Sequence, residues 1–291
     1  MSRNLFSPEV LVPPAAAART AGYPYLTFCI DDYLPTEVDE KLSATFPDEL
    51  IMLRKEEGIP EYLSLSDGSS SASTFLRHNP IWAAYVEAWH SEQNLQHCLT
   101  VFQAEFSKRY TPLWRWILKW RLKKLSNLQV SVTLATYTKG FYLPPHSDGK
   151  YKVLTVIHYL PTNKSIPDPR GGTTFYFPRE GTTRADLRQF TEWSHGVRRF
   201  FPIWMVPTLA PDLFRVSDLT AFRSCFQQSF HHGYAKNRMC GFVKNDWSIH
   251  EVNLRDYPTG EVRRSILINI SVKERAIVRF VTKIGKWLRT L

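Results

Sequence analysis

Pro145-His146-Ser147-Asp148-Gly149 sets an imidazole and a carboxylate two residues apart. In an extended segment residues two apart point to the same face, so His146 and Asp148 can reach one point together. A third ligand must come from a strand distant in sequence, and Asp246-Trp247-Ser248-Ile249-His250 offers His250. Two histidines and one carboxylate on one face of a metal ion leave three positions open, a donor set that suits ferrous iron. Thirteen residues past His250 comes Arg263-Arg264-Ser265-Ile266-Leu267-Ile268-Asn269-Ile270, which reads as a strand placing a guanidinium at the mouth of the same barrel. Arginine grips a carboxylate through a planar two-pronged fork, so it can hold the far end of a dicarboxylate.

Ligands so far apart in the chain need strands to bring them together, and the second half of the sequence supplies them. From Leu128 onward LQVSVTLATYT, KVLTVIHYL, TTFYF, MCGFV and RRSILINI are short runs, mostly alternating, bounded by Gly, Pro, Asn or Asp. Several such runs within 145 residues predict a β-sandwich or jelly roll. The first half reads as cover. Residues 1–22 are rich in Pro and Ala, YLTFCI reads as a strand, and TEVDEKLSATF reads as an amphipathic helix. Ser64 to Ser73 reads as a Ser/Gly loop, and 79–125 as helical, with apolar residues at spacings of three and four.

The sequence resembles the Fe(II)/2-oxoglutarate-dependent oxygenases, in their prolyl-hydroxylase-like branch. The resemblance runs from about Tyr137 to Asn269. It rests on Tyr137-x-x-Gly140-x-x-Leu143-x-x-His146-x-Asp148, Leu154-Thr155-x-x-x-Tyr159-Leu160, Gly171-Gly172-Thr173 with Phe177-Pro178, His250-Glu251-Val252 and Arg263-x-Ser265, five motifs in order. It implies a mainly β fold, a cupin-like double-stranded β-helix core with flanking α-helices. It also implies iron on His146, Asp148 and His250, O2 as oxidant, and 2-oxoglutarate held by Arg263 and the Tyr159 phenol. Tyr137 matches a second tyrosine position, and Thr155 shares the Tyr159 face and is counted with the cosubstrate contacts. Arg264 has the opposite strand parity, and so does His158, which is expected to be packed or solvated. An intact carboxylate at 148 favours hydroxylation over halogenation within this resemblance. The whole chain, 1–291, reads as a single oxygenase domain: 1–127 strand and helical cover, 128–272 core, and 273–291 a C-terminal helix.

One departure from the resemblance is large. About 179–238 stands as an aromatic and basic insertion where such enzymes place substrate-covering segments, and it contains Trp193, Phe200, Phe201, Trp204, Phe214, Phe222, Phe226, His231 and His232. A satellite core is the competing reading of these aromatics. Adjacent residues of a strand face opposite ways, so His231 and His232 are not expected to share a metal. The expected substrate is a small or carrier-bound metabolite, with a peptidyl hydroxylase as the alternative and a non-catalytic metal- or nucleic-acid-binding module as the alternative of another class.

Composition bounds these readings. With 291 residues, 43% hydrophobic and 14% aromatic, the chain buries a core and is not disordered. Cys29, Cys98, Cys225 and Cys240 form no CxxC pair and read as thiols in a reducing cytoplasm. No apolar run approaches the roughly 20 residues of a membrane span, and Pro8, Glu9, Pro13 and Pro14 interrupt what a signal peptide would need.

The net charge of +10 is concentrated in 108–124, with seven basic residues and no acid, and 273–291, with six basic and one acidic. Nucleic acid is not the expected partner. In the second segment Ile277, Phe280, Val281, Ile284, Trp287, Leu288 and Leu291 recur at three and four opposite Arg275, Arg279, Lys283 and Lys286, the pattern of a basic amphipathic helix. Packing on the barrel is favoured over a membrane surface, because one short helix without a lipid anchor binds membranes weakly. Truncation at Val272 is therefore expected to lower solubility, and the full chain is expected not to float with anionic liposomes.

Overall fold

The computed structural model describes residues 6–12, 25–47, 60–107, 125–149, 152–161, 168–183, 186, 214–216, 218–244 and 247–273. The expectations for 108–124, for Trp193, Phe200, Phe201 and Trp204, and for the helix within 274–291 fall outside the described residues.

Eleven strands are formed by the described residues: β1 (Thr27–Ile30), β2 (Glu61–Ser64), β3 (Leu128–Tyr137), β4 (Tyr142–Ser147), β5 (Lys152–Tyr159), β6 (Asp168–Pro178), β7 (Phe214–Arg215), β8 (Phe226–Tyr234), β9 (Arg238–Val243), β10 (Ile249–Asn253) and β11 (Arg263–Val272). They build two antiparallel sheets, a major one in the order β1-β9-β5-β11-β3-β2 and a minor one in the order β7-β4-β10-β6-β8. Setting aside β1, β2 and β7, the other eight divide as β3, β5, β9 and β11 against β4, β6, β8 and β10, so the chain crosses repeatedly between sheets. That winding is the double-stranded β-helix, or jelly roll, that the resemblance implied. The sheets face each other through Phe175 and Phe242, with ring centroids 5.7 Å apart, and through the Tyr25 hydroxyl, which donates to the Ile249 carbonyl at 2.8 Å.

Alternation decides what each face of the major sheet does. Val130, Val132, Leu134, Leu154, Val156, Ile266, Ile268 and Ile270 turn outward and share one core with Trp82, Tyr85 and Trp89. Those three aromatics lie on α4 (Pro80–His90), beside α2 (Thr36–Ala44), α3 (Ser70–His78), α5 (Glu92–Val101), the short α6 (Gln103–Ser107) and the N-terminal α1 (Pro8–Leu11). Burying each large apolar side chain is worth roughly 1.5–3 kcal/mol, so the helical layer carries much of the stability and leaves the inner face to polar residues. The inner face holds Tyr137, Thr155, Tyr159, Arg263, Ser265 and Asn269.

Two local readings change. Ser70–Ser73 belongs to α3 rather than to a loop, because the Ser69 hydroxyl accepts the Ala72 N–H at 3.3 Å and starts the helix inside the Ser-rich run. Within 179–238, β7, α7 (Leu219–Cys225) and β8 are ordered elements, and β8 is an edge strand of the minor sheet, so part of that stretch is barrel wall. Phe222 and Phe226 stack at 4.7 Å in a small core with Tyr176, Val216 and Ile249.

His158 is packed. It is fully buried with Nε2 3.3 Å from Asp39 Oδ1 of α2 and the Tyr33 ring edge-on at 4.9 Å. Burial lowers its pKa below the ordinary histidine value, and burial together with Arg238 lowers that of His232 to about 4. Both imidazoles fold neutral, so the unfolded chain binds more protons once the pH drops below about 6.5. Their contribution is complete above that pH and is lost as the pH falls toward the folded-state values. The urea midpoint is expected to be flat from pH 8 to 7 and to fall steadily from pH 6.5 to 5.

Candidate metal centre and anion pocket

His146 and His250 meet across a strand pair. They are register partners in the β4–β10 ladder, with ring centroids 4.3 Å apart. Reaching that arrangement requires a correction in β4, where Pro144 and Pro145 lack the N–H a ladder uses. The register shifts there: Val252 faces Leu143 and His250 faces His146, so two prolines stand opposite one residue of β10. Leu143 packs in the inner core with Val252. Without the bulge, His146, three residues further on, would face outward, and the extra residue restores it to the inner face. Asp148 follows two residues later on the same side.

The ligand atoms of His146, Asp148 and His250 lie within 4.8 Å of one another, and all three residues are buried. His146 Nδ1 is 2.9 Å from the Pro144 carbonyl and His250 Nδ1 is 3.2 Å from the Ser248 carbonyl. A carbonyl only accepts, so each Nδ1 carries the hydrogen, and each Nε2 presents a lone pair. Burial, reinforced by His146, lowers His250 to about 3, which keeps its imidazole neutral. Burial works against ionisation of Asp148, yet Lys152 at 2.9 Å and the two histidines hold its carboxyl well below the usual range. A neutral His250 imidazole, a His146 ring oriented by its backbone bond and one ionised carboxylate form a donor set that suits a divalent metal.

The second half of the site surrounds Arg263, which is 1% exposed. Its Nε donates to the Gly171 carbonyl at 2.6 Å, and the guanidinium lies over the rings of Tyr137 at 4.9 Å and Tyr159 at 5.0 Å. No carboxylate among the described residues pairs with it. A buried cation without a counter-ion is costly, and an anionic ligand removes the cost. Arg264 points the other way, over Phe46 at 5.5 Å. Tyr159 shares a hydrogen bond with Thr173 at 2.8 Å and accepts from the Cys240 thiol at 3.5 Å. Gly171 permits the crowding here, since a Cβ on it would lie 2.8 Å from that of Tyr234.

Gly171, Thr173 and Phe175 follow one face of β6, and Phe175 pairs with His250. Two residues advance a strand by about 7 Å, so the Arg263 and His250 ends of this face are separated by about 14 Å of backbone, which an arginine and an imidazole reach across from opposite ends. Thr155, expected beside a cosubstrate, has its hydroxyl 2.9 Å from Asp148 Oδ2. His231 and His232 take opposite faces as expected: His231 Nδ1 lies 2.9 Å from Thr174 Oγ1, and His232 packs beside Phe175 at 5.2 Å. Sequence reasoning passed over Asn269 and Lys152, both of which reach the Asp148 environment. Asn269 carried a signal, because it has the same parity as Arg263 and interrupts the apolar run of Ile266 to Ile270.

No family model and no curated protein matches the chain. Among solved structures it is similar to a Pseudomonas putida prolyl-4-hydroxylase, at 13% identity over 89% of this chain and 100% of that one, with a TM-score of 0.43. It is likewise similar to EvdO2 from Micromonospora carbonacea var. aurantiaca, at 12% identity over 90% and 91% with a TM-score of 0.43. A third is HygX from Streptomyces hygroscopicus, solved with nickel and 2-oxoglutarate bound, at 12% identity over 90% of each chain with a TM-score of 0.39. These scores are low, and the fold assignment rests on the strand order. By that order the chain has a double-stranded β-helix fold, and within it the His-Asp-His group converges.

A group poised in this way binds metal in the folded state far better than in the unfolded one. Fe(II) under anaerobic conditions, at about a hundred times its dissociation constant, is expected to stabilise the protein by about 2.7 kcal/mol. Thermal melts with and without metal check this, and Asp148→Ala, His146→Ala and His250→Ala are each expected to remove most of the shift.

Proposed function

We propose that the protein is an Fe(II)- and 2-oxoglutarate-dependent dioxygenase that oxidises a C–H bond of a small-molecule or carrier-bound metabolite. The observation that carries this reading is the pairing, inside one jelly roll, of a His146-Asp148-His250 group with a buried Arg263 that no carboxylate among the described residues neutralises. His146 Nε2, His250 Nε2 and an Asp148 oxygen would hold the metal, and Arg263 the C5 carboxylate of the cosubstrate. Bound iron, with 2-oxoglutarate and O2, supplies the oxidising power, converting 2-oxoglutarate and O2 to succinate and CO2 while one oxygen atom enters the substrate.

The chain's own residues set the conditions for that chemistry. The Pro144 and Ser248 carbonyls fix both histidine tautomers. The Tyr137 and Tyr159 rings flank the guanidinium, and Tyr159, whose hydroxyl lies beside Thr173, would offer its phenol to the cosubstrate. Phe175 and Phe242 set apolar rings beside His250, which excludes water from that side of the metal group. A peptidyl hydroxylase is the alternative, with the oxidised C–H bond on a side chain presented by a peptide.

A succinate-release screen over metabolite pools with Fe(II), 2-oxoglutarate and ascorbate, followed by mass measurement for an added 16 Da, tests the reading. Arg263→Ala is expected to raise the 2-oxoglutarate requirement by about 2–4 kcal/mol, some thirtyfold or more, while the Fe(II)-linked melting shift remains. Arg263→Lys keeps the charge but loses the fork and is expected to fall between the two. An Arg263→Ala protein with unchanged 2-oxoglutarate dependence would overturn the assignment of this pocket.

A further inference from the structure

Asp148 is held from two sides by bonds of different kinds. Lys152 reaches Oδ1 at 2.9 Å with a side chain 31% exposed, so it can exchange this contact for water. Thr155 reaches Oδ2 at 2.9 Å from inside the sandwich, where it is 6% exposed and water does not compete. Thr155 Oγ1 also stands 3.2 Å from Asn269 Oδ1, and Asn269 and Thr155 are register partners on β11 and β5.

A threonine hydroxyl has one proton, and the ionised Asp148 carboxylate is an acceptor only. The proton therefore goes to Asp148, the stronger and charged acceptor, and a 180° turn of the Asn269 amide lets its NH2 donate to the threonine oxygen in place of an acceptor–acceptor contact. The result is a directional chain from the Asn269 amide to the Thr155 hydroxyl to the Asp148 carboxylate. It crosses from the major sheet to the segment following β4, and so ties the carboxylate to the sheet that carries Arg263.

We infer that Thr155, braced by Asn269, is a positioning residue for the metal-binding carboxylate and does not contact the cosubstrate. This rests on the oxygenase reading above. A carboxylate oxygen accepts two partners, so the threonine bond persists when Asp148 binds a metal, and it restricts the carboxylate to one orientation about its side-chain torsion. An anchored ligand binds more tightly than one that rotates, and removal of such supporting partners typically weakens metal binding 10- to 100-fold.

Co(II), whose visible absorption reports the ligand geometry, is the probe. Thr155→Val replaces the hydroxyl by a methyl of the same shape. It is expected to weaken Co(II) binding about 10- to 100-fold and to alter the visible bands, leaving the affinity of the metal-loaded protein for 2-oxoglutarate unchanged. Thr155→Ser is expected to restore both affinity and spectrum, and Asn269→Ala to produce a smaller loss in the same direction. Should Thr155→Val not fold, Thr155→Ala against Thr155→Ser makes the same comparison. Wild-type Co(II) affinity and bands in the valine variant would overturn the inference, as would a selective loss of 2-oxoglutarate affinity with metal binding intact. A wild-type protein that binds neither Co(II) nor Fe(II) would instead overturn the oxygenase reading itself, and the inference with it.

Discussion

The pairing of β10 with β4 is the contact on which the site depends. β10 lies between β4 and β6 in the minor sheet, and its ladder sets His250 against His146 on one side and against Phe175 on the other. Because side chains alternate, a shift of one residue in that ladder would turn His250 to the outer surface. The shift is opposed by the Tyr25 hydroxyl, which bonds the Ile249 carbonyl, and by the buried Ile249 side chain on the far face. The two prolines of β4 add a second constraint, because the bulge they impose is what sets Leu143 and His146 on the same face.

The major sheet separates stability from chemistry by the same alternation. On β11, Ile266, Ile268 and Ile270 seal against the helical layer, while Arg263, Ser265 and Asn269 face inward. Removing polar groups from water costs free energy, and the apolar stripe behind them offsets it. The helices of the first half are thus more than cover. They let one strand carry an arginine that is 1% exposed.

The interior has its charges arranged along its length. At one end the ionised Asp148 is paired with Lys152 beside His146 and His250, and at the other Arg263 is a cation that no carboxylate among the described residues pairs. A dicarboxylate bridging a divalent cation and a guanidinium meets complementary charge at both ends. The tyrosines around Arg263 accept the cation with their ring faces, while its Nε bonds the Gly171 carbonyl and its Nη1 lies 3.5 Å from Ser265 Oγ.

Much of this was legible in the residues alone. The spacing of His146 and Asp148, the parity that separates Arg263 from Arg264, and the alternating runs that became β3, β5, β9 and β11 are local properties of an extended chain, which needs only its own pleat to express them. Of the edge strands β1 was legible in YLTFCI, but β2 and β8, and β4 inside the minor sheet, were not. β8 spaces Phe226, Phe230 and Tyr234 four apart among glutamine and histidine and shifts register against β6, β2 is four residues long, and β4 carries two prolines that argue against a strand in isolation. Only the tertiary structure decided which residues meet. Cys29 and Cys240, distant in sequence, are opposite partners on β1 and β9, and Asn269, Thr155 and Asp148 meet in one line from three segments. Such meetings are set by the order in which strands pair across the two sheets, a long-range property that no local period encodes.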